Sequence, residues 1–319
     1  MRNVLVTGAS GLIGKEVCDG LLAKNFNVVG TDNKANTLEG KPNFKFVRAS
    51  IDNRDAVARI ITENKIDAIV HLACTVDNDY PPILSADEER ESAAVDKYIY
   101  KLAVSENVKD FILVSTHQVY APQKTREPIR EVSLEKATTL YAKMKLDAEK
   151  AFQAALKKAS ATNGVIARIC PVYTKEFTDN LHSKIYDPKE GCAYIYGYGD
   201  YGYSFTCVYN LVDFVIGVLS QKNNGNYQGI YNVCDTKPIQ AKEIVEFERA
   251  ARKLGAVIQR NYSADTVKSS VFGFSIVNNK IAKYDYRYND LSVACSNISY
   301  DNTKAQRIST FRWKLSNTK

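Results

Sequence analysis

Three glycines spaced G-x-x-G-x-x-G directly follow a short apolar run near the start of the chain. The run Val4–Val6 is typical of a buried strand, and an amphipathic segment at 15–24 follows the glycines. Gly8, Gly11 and Gly14 therefore lie in a turn between a strand and a helix, where glycine lets the backbone approach a pyrophosphate. The amide groups of the first helical turn then face the negative charge. This order predicts a strand–turn–helix unit that binds a dinucleotide.

A carboxylate ends the second apolar run. Asp32 can accept both ribose hydroxyls of the adenosine half of a dinucleotide, and it would repel a 2′-phosphate. No arginine follows at 33 or 34, although Lys34 keeps NADP open as an alternative. We therefore predict NAD as the cofactor. The other residues expected to contact it in these two turns are Ser10, Leu12, Ile13 and Asn33.

Apolar runs and amphipathic stretches alternate over residues 1–170. The apolar runs occur at 3–7, 27–31, 44–48, 66–73, 110–115 and 164–169, and the amphipathic stretches at 15–24, 53–64, 88–106 and 138–159. This alternation predicts an α/β fold with a Rossmann-like, doubly wound parallel sheet. We expect a dinucleotide-binding domain at 1–170, shared with parts of 205–235, and a smaller C-terminal substrate-binding lobe mainly at 171–319. The tyrosines at 194–209 are expected on a strand-and-hairpin surface of that lobe.

Composition argues against several other classes of protein. A 45% hydrophobic, 25% charged chain with a net charge of +7 is ordinary for a globular protein and lacks the clustered charge of a nucleic-acid binder. No apolar segment reaches the roughly 20 residues of a membrane span, and the glycine turn comes too early to leave room for a signal peptide. Seven cysteines without C-x-x-C spacing and only three histidines indicate neither a disulfide framework nor a metal site. We expect a cytoplasmic protein without a metal, nucleic-acid or membrane partner.

A tyrosine and a lysine lie one helical turn apart in the stretch 138–159. Tyr141 and Lys145 share one helix face. Because free tyrosine titrates near pH 10, accepting a proton near pH 7 requires its pKa to fall by roughly 3 units, or about 4 kcal/mol. The lysine and the positive nicotinamide of an oxidised cofactor can supply this. Upstream, a buried strand ends at Thr116, at the edge of the sheet where ligands bind. We predict Thr116, Tyr141 and Lys145 as catalytic residues.

With these residues in place, the chain resembles the extended short-chain dehydrogenase/reductase family, in its NAD-dependent epimerase/dehydratase branch that modifies nucleotide sugars. The matching segments are the glycine turn, Asp32, Ser50-Ile51-Asp52, His71-Leu72-Ala73-Cys74, Ser115 to Tyr120, the Tyr141/Lys145 pair, Asn180-Leu181, Tyr231-Asn232-Val233, Arg287 to Leu291 and Asp301 to Ala305. The resemblance implies cofactor contacts by Ser50, Ile51, Asp52, Leu72, Ala73, Cys74, Ser115, Tyr141, Lys145, Pro171 and Val172. It implies substrate contacts by Asn180 and Arg287, and a homodimer formed through the helices at 88–106 and 138–159. Thr116 and His117 are also expected to contact the substrate, because they lie together at the end of the strand before the crevice.

The chain also departs from the family pattern. Pro171 stands where the family has an asparagine, and Tyr203 and Asn210 stand where it often has an arginine and a late aspartate. Arg287 is therefore the main candidate for binding the nucleotide phosphates. His117-Gln118 replaces the Asp-Glu pair of the 4,6-dehydratases, which argues against ordinary dehydration.

The leading functional hypothesis is an NAD-dependent epimerase or oxidoreductase of a nucleotide-activated sugar, acting through a transient keto intermediate. One alternative is a one-way NAD(P)-dependent reductase or dehydrogenase of a sugar or small carbonyl compound, because the region 203–210 departs from the family. A second alternative is a non-catalytic NAD-binding sensor or scaffold, although the presence of Thr116, Tyr141 and Lys145 together argues against it.

Overall fold

A computed structural model describes most of the chain. The described residues are 1–35, 37–74, 86–121, 127–137, 140–157, 161–187, 190–220, 227–252, 254–260 and 298–318, with the side chains of 86–92, 140, 251 and 252 excepted.

Within these residues, the largest sheet has seven parallel strands. They are β1 (Asn3–Thr7), β2 (Asn27–Asp32), β3 (Phe44–Arg48), β4 (Ala68–His71), β5 (Asp110–Thr116), β6 (Asn163–Ile169) and β12 (Gly229–Val233). Their order across the sheet is β12-β6-β5-β4-β1-β2-β3. The predicted doubly wound parallel sheet is confirmed, and β12 adds a strand from the region 205–235.

Helices cover both faces of this sheet because its strands are apolar on both sides. The helices are α1 (Leu12–Ala23), α2 (Arg54–Glu63), α3 (Ala86–Ser105), α4 (Leu140–Leu156) and α6 (Val208–Leu219). Successive residues of β1 show how the pleat divides the core. Val4 and Val6 pack with α1 and α6 on one face, whereas Leu5 packs with α2, α3 and α4 on the other.

The order of the strands determines where the ligand crevice lies. β1 pairs with β2 on one side and with β4 on the other, so successive connections run in opposite directions from β1. In open α/β sheets, ligands bind at the carboxyl ends of the strands beside such a reversal. The glycine turn after β1 and the segment after β4 meet there, and the end of β5 lies next to them.

The other elements are short and lie mostly after residue 170. They are β7 (Val172–Tyr173), α5 (Asp179–His182), β8 (Tyr186–Asp187), β9 (Cys192–Tyr196), β10 (Gly202–Tyr203), β11 (Thr206–Cys207), β13 (Ile239–Gln240), α7 (Ala241–Arg252), β14 (Val257–Arg260), α8 (Thr303–Gln306) and the 3₁₀ helices His117–Val119 and Leu315–Asn317. All of them except β8, α8 and the His117–Val119 helix contribute to a core around Tyr173 and Phe205. Ala305 of α8 and Val119 pack in two other apolar clusters. The expectation of surface tyrosines was wrong for Tyr194 and Tyr203, which are 3% and 4% exposed, because their rings pack against neighbouring aromatic rings.

The described helices include none with both the length and the apolar character needed to cross a membrane.

Candidate active site

The glycine turn has room for backbone but not for side chains. Gly8 has φ +70°, and a Cβ added to it would lie 2.9 Å from the Ala73 amide nitrogen. A Cβ on Gly14 would lie 2.1 Å from the Gly8 carbonyl oxygen. Helix α1 begins after Gly11, which provides no side-chain cap for its first amides. The turn therefore fits the pyrophosphate of a dinucleotide, with Ser10, Gly11, Leu12 and Ile13 around the helix N-terminus.

Gly14→Ala is expected to weaken NAD binding at least about tenfold, because overpacking of this kind costs about 1–3 kcal/mol and here acts on backbone. Isothermal titration calorimetry with NAD measures the change. Gly255→Ala is the matched control, since a Cβ there meets nothing within 4 Å. An unchanged NAD affinity in Gly14→Ala would show that the turn does not hold the cofactor.

Asp32 is fixed at the end of β2 by two backbone amides. Its Oδ2 accepts a hydrogen bond from the Ser10 amide at 3.0 Å, and its Oδ1 accepts one from the Lys34 amide at 3.0 Å. Arg48 of β3 is the register partner of Asp32, and its Nε donates to the Asn33 carbonyl at 3.0 Å. Lys34 was the cation expected near Asp32, and Arg48 was not predicted from the sequence. Only the pairing of β2 with β3 brings Arg48 to this position.

The segment after β3 lies beside Asp32, as expected for a cofactor contact. The Ala49 amide donates to the Asp32 carbonyl at 3.0 Å. Ser50 and Asp52 are exposed there, and Ile51 packs against the core. Both polar side chains are therefore accessible at the carboxyl edge of the sheet.

A buried threonine joins the ends of β1 and β4. The Thr7 hydroxyl accepts hydrogen bonds from the Leu72 and Ala73 amides at 3.2 Å each and contacts His71 Nδ1 at 2.8 Å. Because two donors fill its lone pairs, the hydroxyl donates to Nδ1, and His71 Nε2 donates to Asp96 Oδ1 at 3.2 Å. This network holds the segment Leu72 to Cys74 against the glycine turn. Asp96 was missed, since its position on α3 carries no sequence signal.

Lys145 and Tyr141 meet where α4 packs on β5. Lys145 is 8% exposed, and its Nζ donates to the Val114 carbonyl at 3.4 Å. Burial lowers the pKa of Lys145, but its electrostatic interactions with Cys74, Tyr141 and Asp96 raise it more, so the pKa of Lys145 lies above its ordinary value. Lys145 therefore stays positively charged beside the tyrosine.

Burial raises the pKa of Tyr141, and the charge of Lys145 lowers it by less, so the pKa of Tyr141 lies above 10.0. Lys145 lowers the pKa of Tyr141, as expected. The charge of Lys145 alone, however, does not produce a phenolate near neutral pH. A further positive charge is needed, which the oxidised nicotinamide ring carries when bound. Cys74 also interacts electrostatically with Tyr141, so Cys74 lies at the same end of the crevice.

The end of β5 presents two hydroxyl groups with different partners. Ser115 Oγ donates to Glu149 Oε1 at 2.5 Å, inside the protein. Thr116 is 5% exposed, and its hydroxyl accepts a hydrogen bond from the Gln118 amide at 3.3 Å, at the start of a 3₁₀ helix. Since Thr116 is the acceptor in that bond, its hydroxyl proton can be donated to a substrate oxygen.

A buried ion pair lies behind these residues. Arg168 is fully buried, and its Nη2 donates to Glu149 Oε2 at 2.6 Å and also to Glu135. The guanidinium group lies over the Tyr120 ring, 4.6 Å from its centroid. Glu149 was not predicted from the sequence. The spacing of Tyr141, Lys145 and Glu149 at i, i+4 and i+8 on one helix was the signal that could have revealed it.

The other predicted substrate-binding residues lie in different surroundings. His117 Nδ1 donates to the Ile169 carbonyl at 3.2 Å, and its ring meets Tyr300 edge-on. Asn180 Nδ2 donates to the Val172 carbonyl at 2.8 Å, so it supports the half-buried segment Pro171-Val172. Arg287 lies outside the described residues.

Asn210, in the region 203–210 that departs from the family pattern, makes buried hydrogen bonds that support the fold. Asn210 is 1% exposed, and its side chain donates to Asp235 Oδ1 and to the Trp313 carbonyl at 2.8 Å each. Tyr173 Oη also donates to Asp235, at 3.0 Å. These hydrogen bonds lower the pKa of Asp235, but burial raises it more, so the pKa is about 6.

Asp235 is therefore expected to make stability depend on pH. Between pH 3.8 and about 6 the folded carboxyl keeps its proton while the unfolded one has lost it, so its contribution to stability is present below this range and is lost as the pH rises through it. The loss amounts to about 3 kcal/mol. Asp235→Asn lacks this titration, so the difference in free energy of unfolding between variant and wild type should shift in favour of the variant from pH 4 to pH 7. Urea unfolding at a series of pH values measures the difference, and a constant difference would contradict the expectation.

In the described part of the chain, no cluster of three or more His, Cys, Asp or Glu side chains could hold a metal ion.

Comparison with known proteins identifies the family of the chain. The model of the NAD dependent epimerase/dehydratase family matches residues 4–234. A UDP-glucuronate 4-epimerase of Thermodesulfobacterium geofontis is 33% identical over 141 residues, covering 39% of this chain and 42% of that protein. A UDP-glucose 4-epimerase of Neisseria meningitidis is 35% identical over 83 residues, covering 23% of this chain and 24% of that protein. The chain thus matches less than half the length of these relatives.

The fold has a close counterpart among solved structures. UDP-glucuronic acid 4-epimerase from Bacillus cereus, solved in complex with NAD, aligns over 99% of this chain and 96% of its own, with a TM-score of 0.71 and 20% identity. The family match covers most of the chain, including the glycine turn, Asp32 and the Tyr141/Lys145 pair. The chain therefore belongs to the NAD-dependent epimerase/dehydratase family, and NAD is the cofactor of that family.

Proposed function

We propose that the protein is an NAD-dependent 4-epimerase of a UDP-sugar. The observation that carries this proposal is the convergence of a charged, buried Lys145 with Tyr141 on α4 and with the end of β5, next to the segment after β4. The curated relatives named above act on UDP-glucose and UDP-glucuronate, which suggests the substrate class. A protein that only sensed NAD would not need this arrangement.

The residues have distinct roles in the proposed reaction. When bound, NAD would supply the acceptor for a hydride from the oxidised carbon of the sugar and the donor for its return. Tyr141 takes the proton of the sugar hydroxyl and gives it back to the keto oxygen after the sugar has turned its other face. Lys145 stabilises the Tyr141 phenolate electrostatically and Thr116 donates a hydrogen bond to the same sugar oxygen.

The cofactor and substrate contacts beyond this centre belong to the same proposal. Asp32 and the glycine turn would hold the adenosine ribose and the pyrophosphate, Cys74 and Pro171-Val172 would border the nicotinamide, and His117 would lie on the substrate side. A homodimer through α3 and α4, and phosphate binding by Arg287, stay predictions.

Product analysis tests the proposal. The purified chain is incubated with NAD and one sugar at a time. The sugars are UDP-glucose, UDP-glucuronic acid and the C4 epimer of each. The two epimers of each pair are then separated by anion-exchange chromatography. We expect one of these pairs to reach the same epimer ratio from either direction, without net formation of NADH. Accumulation of NADH together with an oxidised sugar would instead identify a one-way dehydrogenase, and no turnover of any UDP-sugar would contradict the proposal.

A further inference from the structure

Two thiols occupy matching positions at the ends of neighbouring strands. β6 and β12 pair in parallel up to Ile169 and Val233, and Cys170 and Cys234 are the next residue on each strand. Neighbouring strands lie about 4.8 Å apart, which is within the roughly 4.4–6.8 Å between Cα atoms that a disulfide spans. Both side chains pack in the same apolar cluster, so they point to the same side of the sheet. The backbone here is suited to a cross-link.

The two sulfur atoms are already in contact. The Cys170 thiol donates to Cys234 Sγ at 2.8 Å, and the Cys234 thiol donates to the Arg168 carbonyl at 3.8 Å. Cys170 is 2% exposed and Cys234 is fully buried. At this burial a protein thiol or a bulky disulfide cannot approach the pair, so the candidate oxidant is a small one such as hydrogen peroxide.

The strand ends that carry the thiols are held in place. The Cys170 amide donates to Thr206 Oγ1 at 2.9 Å, and the Thr206 hydroxyl donates to the Val233 carbonyl at 2.8 Å. Asn302 Nδ2 donates to the Cys234 carbonyl at 2.8 Å. These bonds fix both backbones, so bond formation needs only a small movement of the sulfurs.

We propose that Cys170 and Cys234 form a reversible disulfide when the protein meets hydrogen peroxide. The sulfur of Cys170, which is the more accessible, attacks one peroxide oxygen. The O–O bond breaks, one water leaves and a sulfenic acid forms. The sulfur of Cys234 then attacks the sulfenic sulfur, the S–S bond forms and a second water leaves. Two electrons pass from the two thiols to the peroxide, and a dithiol reductant reverses the change.

The cross-link has a measurable consequence for the whole chain. It joins residues 64 positions apart, just where β6 and β12 leave the large sheet for the substrate lobe. Closing a loop of this size restricts the unfolded chain, so we expect the oxidised protein to melt roughly 5 °C above the reduced protein. The proposal is independent of the reaction that the protein catalyses.

Peptide mapping tests the proposal on the unaltered chain. The folded protein is treated with hydrogen peroxide, denatured in iodoacetamide and digested without reductant. We expect a peptide pair linked through Cys170 and Cys234, an intact mass lower by two hydrogens before alkylation, and loss of both signals after dithiothreitol. Two alkylated thiols at these positions, sulfinic or sulfonic acid without a link, or a link between other cysteines would overturn the proposal.

Variants provide a matched control. Cys170→Ser and Cys234→Ser should each abolish both the link and the peroxide-dependent rise in Tm. Cys192→Ser, at a half-buried position in β9, should retain both. The same Tm rise in Cys170→Ser as in wild type would show that the stabilisation arises elsewhere.

Discussion

Tyr141→Phe is expected to lower kcat about a thousandfold while leaving NAD binding within a factor of a few. Proton transfer by a positioned side chain contributes between about a hundredfold and ten-thousandfold to a rate, and the variant loses the only atom of Tyr141 that carries the proton. Phenylalanine keeps the ring, so the packing beside Lys145 is preserved. Initial rates of UDP-sugar epimerisation, with NAD affinity from calorimetry, measure the two effects separately.

Tyr198→Phe is the matched control, because Tyr198 is 80% exposed and should keep the wild-type rate. The wild-type rate should also rise with pH, since burial raises the pKa of Tyr141 in the protein alone and deprotonation activates it. A Tyr141→Phe variant with more than a tenth of the wild-type rate would exclude Tyr141 as the base.

Glu149→Ala is expected to reduce the free energy of unfolding by about 3–5 kcal/mol, because it leaves a fully buried guanidinium without its main carboxylate. Arg168 donates to Glu149 through both Nε and Nη2, and Ser115 donates to the same carboxylate. The variant therefore leaves several buried donors without an acceptor. Denaturant unfolding followed by circular dichroism measures the loss.

Glu135→Ala removes the other carboxylate of Arg168 and serves as the control. The Glu135 side chain is 34% exposed, whereas that of Glu149 is 2% exposed, so water can replace Glu135 as a partner. We expect it to cost about 1 kcal/mol. An equal or smaller loss in Glu149→Ala than in Glu135→Ala would show that this ion pair does not support the fold.

Local patterns predicted the large sheet well because most of its strands are apolar on both faces, the edge strand β3 being the exception, and its helices are amphipathic. The strand predicted at 110–115 is β5 at Asp110–Thr116, and the helical stretch at 138–159 contains α4 at Leu140–Leu156. The family resemblance, resting on the glycine turn, Asp32 and Tyr141/Lys145, was confirmed by the family match. These features depend on residues close together in the chain.

Other features depend on pairing between distant segments and were not predicted. Arg48 lies beside Asp32 only because β3 pairs with β2 in a particular register. Asp96 meets His71, and Cys170 meets Cys234, across elements that are far apart in sequence. The buried tyrosines after residue 190 were misjudged because a lobe of short elements shows little periodicity. Contacts of this kind require the folded structure.

Isotope tracing distinguishes a 4-epimerase from other enzymes that act on UDP-sugars. UDP-glucose and UDP-glucuronic acid carrying deuterium at C4 are each incubated with the protein and NAD, and the products are analysed by NMR and mass spectrometry. We expect one of them to yield its C4 epimer with the deuterium still at C4, because the hydride removed from that carbon returns to it. Deuterium that leaves the sugar, or that appears at another carbon, would contradict a 4-epimerase.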